Sequence, residues 1–355
     1  MAKVRVLVVD DAVVFRRLVA EELSADPAIE VVGTAANGRI ALAKLAQVNP
    51  DLVILDIEMP ELDGLAALRE IRKSHPRLPV IMFSALTERG AEATLDALAL
   101  GATDYFAKPT GTGSLEASLR VIRGELVPEI KALCRRDAGP PTTAGVAAAG
   151  PAPGGARVGP VKVIAIGAST GGPNALADVF GGLPADFPVP VVIVQHMPPM
   201  FTRLLAERLS DRSPVAVEEG RTGAVLRAGH AWLAPGDFHM AVVRDGERAR
   251  ILLNQGPAEN SVRPAVDVLF RSVAQAFGPN VLAVVLTGMG QDGLRGCEAV
   301  RSAGGQVIVQ DEPTSVVWGM PGFVARAGLA DRVLPLARVA PEIVSRVRAG
   351  RGAGP

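Results

Sequence analysis

The sequence predicts two α/β domains in tandem. The first is built on a five-stranded parallel sheet. The second is a doubly wound, mostly parallel α/β domain with a small antiparallel insertion. Three observations predict this. Short apolar runs alternate with amphipathic stretches of helical period on both sides of a break in composition. Most of those runs are apolar throughout rather than at every second residue, as expected of parallel strands covered on both faces. The break, residues 138–160, reads AGPPTTAGVAAAGPAPGGARVGP, and 11 of its 23 residues are Gly or Pro. That composition buries too little apolar surface to offset the entropy of ordering, so it reads as a flexible linker. The domains are therefore expected at 1–125, with a helical extension to about 137, and at 161–348, with a frayed tail after them.

In the first domain the strands are expected at Val4–Val9, Ile29–Thr34, Leu52–Leu55, Val80–Phe83 and Asp104–Phe106. Helical period runs through Phe15–Leu23, Ile40–Val48, Leu65–Lys73, Ala91–Leu100 and Leu115–Leu133. These make five βα units. In the second domain, Val161–Gly167, Val189–Gln195, Val281–Thr287 and Gln306–Gln310 read as strands. Pro173–Phe180, Met200–Leu209, Val266–Phe277 and Leu294–Ala303 read as helices. Residues 215–255, with Gly turns at Pro235-Gly236 and Asp245-Gly246, supply the expected antiparallel insertion.

Composition removes several classes of function. The chain has 355 residues, 48% of them hydrophobic, enough for two packed cores. Lys+Arg and Asp+Glu are 37 each, so no net basic field draws nucleic acid or an anionic membrane. Two distant cysteines, Cys134 and Cys297, exclude a disulfide framework and fit a reducing cytoplasm. The opening residues lack the cleavage site of a signal peptide. The longest apolar runs fall far short of the roughly 20 residues a membrane span needs.

Parallel sheets gather function at the carboxyl ends of their strands. Asp10 and Asp11 end the first strand of the first domain, Asp56 the third (with Glu58 just after), Ser84 the fourth, and Lys108 follows the fifth. Carboxylates brought together in this way repel one another unless a hard cation neutralises them. Magnesium is the natural choice, with the lysine and hydroxyl left to hold a phosphoryl group. In the second domain the first strand runs into Gly167-Ala-Ser169-Thr-Gly171-Gly172, a G-x-S-x-G pattern before a helix. Such a turn can present Ser169 as a nucleophile. Placement at strand ends selects His196, after VVIVQ, and Asp292, after VLAVVLTGMGQ, as base and orienting acid. A rival set, Ser169–Asp237–His239, puts acid and base two residues apart on one turn, a poor geometry for orientation. His75 reads as a solvated loop residue. The backbone of Gly288-Met289-Gly290 can supply N–H donors to an oxyanion.

Asp10-Asp11, LVILDIEMP around Asp56, Ser84 and DYFAKP ending at Lys108-Pro109 resemble the receiver domain of bacterial response regulators, a flavodoxin-like fold. The resemblance covers about residues 1–125. It implies phosphorylation of Asp56 by a histidine kinase, with Mg2+ held by Asp10, Asp11, Asp56 and the Glu58 backbone carbonyl. Ser84 and Lys108 would contact the phosphoryl group, and Tyr105 sits where receivers place a switching aromatic. GASTGG (167–172), QHMP (195–198), APG (234–236), RPAVDVLF (263–270), TGMGQDG (287–293) and QDEPTSVVWGMP (310–321) resemble the catalytic domain of the CheB family of chemotaxis methylesterases. The chain has Val262 where many members of that family carry histidine, and Ala265 where they carry serine. The resemblance implies hydrolysis of glutamate γ-methyl esters on cytoplasmic helices of chemoreceptors. It also implies possible deamidation of receptor glutamines and no cofactor for the ester chemistry. Ser169, His196 and Asp292 would form the triad, with the Met289 N–H in the oxyanion hole. A tethered receiver would block the Ser169 edge until phosphorylated. A non-catalytic adaptor and a DNA-binding regulator are the alternatives. The intact triad residues oppose the first, and the absence of a helix-turn-helix pattern after the linker opposes the second.

Overall fold

A computed structural model describes residues 2–109, 114–134 and 159–350. The chain divides into two compact units, residues 1–141 and 142–355. The expected linker at 138–160 lies outside the described residues except for its last two positions, as does most of the tail.

The N-terminal unit runs β1 (Val4–Val9), α1 (Val13–Ser24), β2 (Ile29–Ala35), α2 (Gly38–Val48), β3 (Leu52–Asp56), α3 (Gly64–Ser74), β4 (Val80–Ser84), α4 (Glu88–Ala99), β5 (Asp104–Ala107), α5 (Leu115–Val121) and α6 (Val127–Leu133). Its five strands are all parallel, in the order β2-β1-β3-β4-β5. Every residue of β3 and β4 is buried, which explains why these strands read as continuous apolar runs. Asn37, Asp63 and Thr87 cap α2, α3 and α4 by accepting a backbone N–H two or three residues inside each helix.

The expected single helix over 115–133 contains a π turn at Ile122–Leu126, where the Val127 N–H donates to Ile122 O. Pro128 explains it. Proline has no N–H to give, and its ring would strike the carbonyl four residues back in a regular α-helix.

Glu129 on α6 and Asp104 on β5 are both buried. Burial, and next the Asp104 carboxylate, push Glu129 well above its usual value. A carboxyl raised on folding adds stability that is complete below its unfolded value and is lost as pH climbs through the folded one. Glu129→Gln keeps the shape without the charge. Calorimetry of the full chain is expected to show the N-terminal unit of this variant melting a few degrees higher near pH 8, with little gain near pH 5. A gain that did not vary with pH would contradict this account.

The C-terminal unit begins β6 (Val163–Ala168), α7 (Gly172–Gly181), β7 (Val191–Gln195), α8 (Pro199–Arg212), β8 (Ala216–Glu219), β9 (His230–Leu233), β10 (His239–Asp245) and β11 (Arg248–Asn254). It continues α9 (Val266–Phe277), β12 (Val281–Val285), α10 (Leu294–Ser302), β13 (Gln306–Gln310), α11 (Met320–Arg326), β14 (Arg332–Leu334) and α12 (Leu336–Ala349). Seven strands form one sheet in the order β14-β13-β12-β6-β7-β9-β8, and every pair is parallel.

The antiparallel part is smaller than the sequence suggested. Within 215–255 β10 and β11 pair antiparallel, with one further antiparallel bridge at Val225–Arg250, while β8 and β9 extend the parallel sheet. These are four-residue strands, too short for their period to separate them from a hairpin. The elements after residue 319 also carried too little signal: α11 and β14 are short, and α12 has Pro341 inside it. Both sheets reverse winding direction beside their first strand, between β1 and β3 and between β6 and β12. Such switch points open a crevice at the carboxyl ends.

Candidate functional site

At the first switch point, Asp10, Asp11 and Asp56 bring carboxylate oxygens within 4.8 Å of one another. Asp10 and Asp56 are almost wholly buried and Asp11 is exposed. The Lys108 ammonium lies 2.8 Å from both Asp10 Oδ2 and Asp56 Oδ2. It also sits over the Phe15 ring, 5.2 Å from its centre. Burial pushes Asp56 up to about 6, against the pull of Lys108, with Asp10 and Asp11 adding to the rise. The crowding comes from the fold. A Cβ on Gly64 would fall 2.1 Å from Asp56 O, so α3 starts hard against the strand end that carries Asp56. An all-oxygen donor set on converging carboxylates fits a hard divalent cation.

The other expected members stand differently. The Glu58 side chain is exposed and outside the carboxylate cluster. The Ser84 hydroxyl donates to Gly90 O on α4 at 3.0 Å. Tyr105 is half-buried on β5, and burial, with Asp104 and Glu129, pushes its phenol well above the usual value.

At the second switch point, Ser169 follows β6 and His196 follows β7. Ala168 and Gln195 are register partners, so Ser169 and His196 leave adjacent strands side by side. The Ser169 N–H donates to Thr287 O at 3.0 Å and the His196 N–H to Ala168 O at 3.2 Å. Asp292 lies beyond β12 and is buried. His196 Nε2 meets Asp292 Oδ2 at 2.8 Å, which leaves Nδ1 as the basic nitrogen. Asp292 Oδ2 also accepts the Val266 N–H at 2.6 Å, and Oδ1 accepts the N–H groups of Asp267 and Gly293, each at 3.0 Å. Burial alone would raise this carboxyl. Donation from His196 and then the backbone N–H groups outweighs burial and holds it below the ordinary value. Among the described residues, no hydrogen bond joins the Ser169 hydroxyl to the imidazole, the looser state common before substrate binds.

The rival set is committed elsewhere. Asp237 Oδ1 accepts Arg263 Nε at 3.0 Å and its Oδ2 accepts from Gln255 at 3.0 Å. His239 is buried between Pro257 O, 2.9 Å from its Nε2, and the Ala265 N–H, which donates to Nδ1 at 3.2 Å. Both ring nitrogens are therefore engaged by backbone groups in the core.

Comparison with known proteins gives the family. The CheB methylesterase profile matches residues 164–343 and the response regulator receiver profile matches 6–120. The chain belongs to the CheB methylesterase family. A protein from Trichodesmium erythraeum (strain IMS101), named protein-glutamate methylesterase/protein-glutamine glutaminase, is 53% identical over 98% of this chain and all of its own length. One of the same name from Nocardioides sp. is 53% identical over 98% of this chain and 96% of its own. The crystal structure of the Thermotoga maritima CheB methylesterase catalytic domain is 41% identical, with a TM-score of 0.51, over 52% of this chain and 98% of its own. The N-terminal unit is accordingly a receiver domain.

Several residues around this CheB-type site escaped the sequence reading. Gln195 is buried and donates from Nε2 to Ser169 O at 2.9 Å. A Cβ on Gly172 would fall 1.9 Å from Gln195 Oε1, so that glycine lets α7 begin against the serine turn. Thr287 Oγ1 donates to Thr170 O at 2.9 Å, and Gln310 Oε1 accepts the Thr287 N–H at 2.8 Å. Together they tie the serine turn to the turn carrying Met289. Met320 and Gly319 donate N–H to Gly288 O, whereas the Met289 N–H has no backbone acceptor among the described residues. Gly236, in the APG segment, packs so close that a Cβ would lie 2.3 Å from Pro199 N, bracing the loop after His196. Asn260 and Asp267 touch Asp292 directly. Gln195 and Asp267 lie within the QHMP and RPAVDVLF segments, so the motifs marked their location without marking their role.

Proposed function

We propose that this chain is a receiver-controlled protein-glutamate methylesterase that acts in the cytoplasm on methyl-accepting chemoreceptors. It would convert glutamate γ-methyl ester to glutamate and methanol. The observation that carries the reading is the His196–Asp292 hydrogen bond of 2.8 Å, made to a buried carboxylate one strand from Ser169. His196 Nδ1 takes the Ser169 proton as Oγ attacks the ester carbonyl. Asp292 holds the ring and stabilises its cation. The Met289 N–H receives the oxyanion, a donation of the kind that contributes about 3–4 kcal/mol in the transition state. The tetrahedral intermediate collapses, and methanol leaves with the proton from His196. Water, deprotonated by the same nitrogen, then attacks the acyl-serine and releases the glutamate carboxylate and Ser169. The same residues acting on a γ-carboxamide would release ammonia, which is the glutaminase reaction in the relatives' names.

Asp56 is the proposed phosphoryl acceptor, and a histidine kinase of the chemotaxis type the donor. Asp10, Asp11, Asp56 and the Glu58 carbonyl would hold Mg2+, which supplies charge neutralisation for the entering phosphoryl group. Lys108 and Ser84 would receive its oxygens, and Tyr105 would report the change. Residues 138–160 are proposed as the linker between the domains.

Methanol release from methylated receptor membranes, with and without acetyl phosphate, tests the reading. Release that rises with acetyl phosphate supports it. No release from receptors of the native organism under either condition contradicts it.

A further inference from the structure

We propose that Asn260 and Asp267 form a positioning pair behind Asp292, in which one side-chain amide cross-links two buried carboxylates and fixes the oxygen turned to His196. The inference rests on reading Ser169, His196 and Asp292 as the triad.

Asn260 Nδ2 lies 2.9 Å from Asp292 Oδ1 and 2.9 Å from Asp267 Oδ2. A primary amide carries two N–H groups on that nitrogen, so one is available to each acid. The other Asp267 oxygen accepts the N–H groups of Gly293 at 3.0 Å and Gly296 at 2.7 Å, at the start of α10. Asp292 in turn accepts the Val266 and Asp267 N–H groups at the start of α9. The two acids are thus anchored to two helix starts, and Asn260 is the brace between them.

The brace answers an electrostatic problem. Asp267 and Asp292 are 1% and 2% exposed; Asp292 has the His196 ring at 2.8 Å, and among the described residues no lysine or arginine lies at contact distance from either. Two such carboxylates repel, and they relax by sharing a proton or turning apart. Burial raises Asp267, and the neighbouring Asp292 raises it further, while the Gly296 N–H and, after it, Asn260 and Arg271 work the other way. Loss of the amide would leave Asp292 to its backbone donors alone beside a second buried carboxylate, and a turn or proton uptake there would spoil its bond to His196. Asn260 also sits at φ 52°, a left-handed conformation that asparagine, aspartate and glycine tolerate best. Neither Asn260 nor Asp267 is hydrogen-bonded to Ser169 or His196, so the pair acts through Asp292 and belongs to kcat rather than to ester binding.

Three variants of the full chain test this, with Ser169→Ala measured in parallel. Asn260→Gly removes the amide and keeps the backbone. Asn260→Asp keeps shape and backbone, and it decides the matter where the glycine variant is unstable. Asp267→Asn sets donor against donor, so one of the two amides must turn over. Each is expected to lower kcat for methanol release about 10–100-fold with KM within about twofold. Each should also shift or erase the low-field proton resonance of His196 Nε2–H. A folded Asn260→Asp protein with wild-type kcat and an unmoved resonance overturns the inference. So does a raised KM at unchanged kcat, which would make Asn260 a substrate contact. Unimpaired activity in Ser169→Ala is a separate result: it removes the triad reading itself, and the positioning role with it.

Discussion

Replacing Ser169 by alanine is expected to cut methanol release from methylated receptor membranes by about ten-thousand-fold or more, with the protein still folded. The size follows from what the hydroxyl does. Without a nucleophile, His196 has no hydroxyl proton to accept on the forward path, and the acyl intermediate never forms. What remains is whatever the oxyanion donors and substrate binding give to direct attack by water. Folding should survive because the fold uses the backbone of Ser169 rather than its hydroxyl. The N–H is bound to Thr287 O, and the carbonyl receives Gln195 Nε2 and the Gly172 N–H. Receptor binding should survive for the same reason. An alanine variant that releases methanol within tenfold of wild type would remove Ser169 as the nucleophile and put the ester chemistry on other residues.

The parts legible in the sequence were those set by local pattern. Strands such as Leu52–Asp56 and Val281–Val285 are apolar at every position because both faces of the sheet are covered, and a parallel α/β layout follows from that. The proposed triad could be drawn from strand ends alone because β6, β7 and β12 are neighbours and their carboxyl ends share one edge. What local pattern does not encode is which backbone groups a distant side chain will meet. Asn260 looks like an ordinary loop asparagine until the fold brings Asp292, 32 residues later, to its amide. Asp267 looks like a helix-start acid, yet it caps the following helix, α10, rather than its own. The strands β8 and β9 were missed for a related reason: their place in the parallel sheet depends on β7 beside β9, and β9 beside β8, rather than on any period within four residues.

Asp56→Asn is expected to abolish the rise in methanol release on adding acetyl phosphate, bringing the ratio of rates with and without it to about one, while the Ser169-dependent rate in its absence persists. Phosphorylation adds about −1.5 to −2 charge and three strong acceptor oxygens. It would do so in a pocket that already holds three carboxylates and one ammonium. The pocket cannot take that charge unchanged. Lys108 bridges Asp10 and Asp56 before phosphorylation, and it is the cation within reach of the new oxygens. The Ser84 hydroxyl is spent on Gly90 O and must turn from the start of α4 to reach them. Each movement would begin at a strand end, so the added charge would act first on the β4–α4 turn and the end of β5. Asparagine at 56 keeps the shape of the pocket but has no anionic oxygen to attack phosphorus, which separates the chemistry of the acceptor from its packing. Lys108→Ala should behave differently: it leaves the acceptor intact and removes the cation that reads it, so phosphoryl uptake should persist while stimulation falls. Phosphoryl incorporation by mass spectrometry beside methanol release distinguishes the two. Stimulation that survived in Asp56→Asn would place the phosphoryl acceptor elsewhere in the chain.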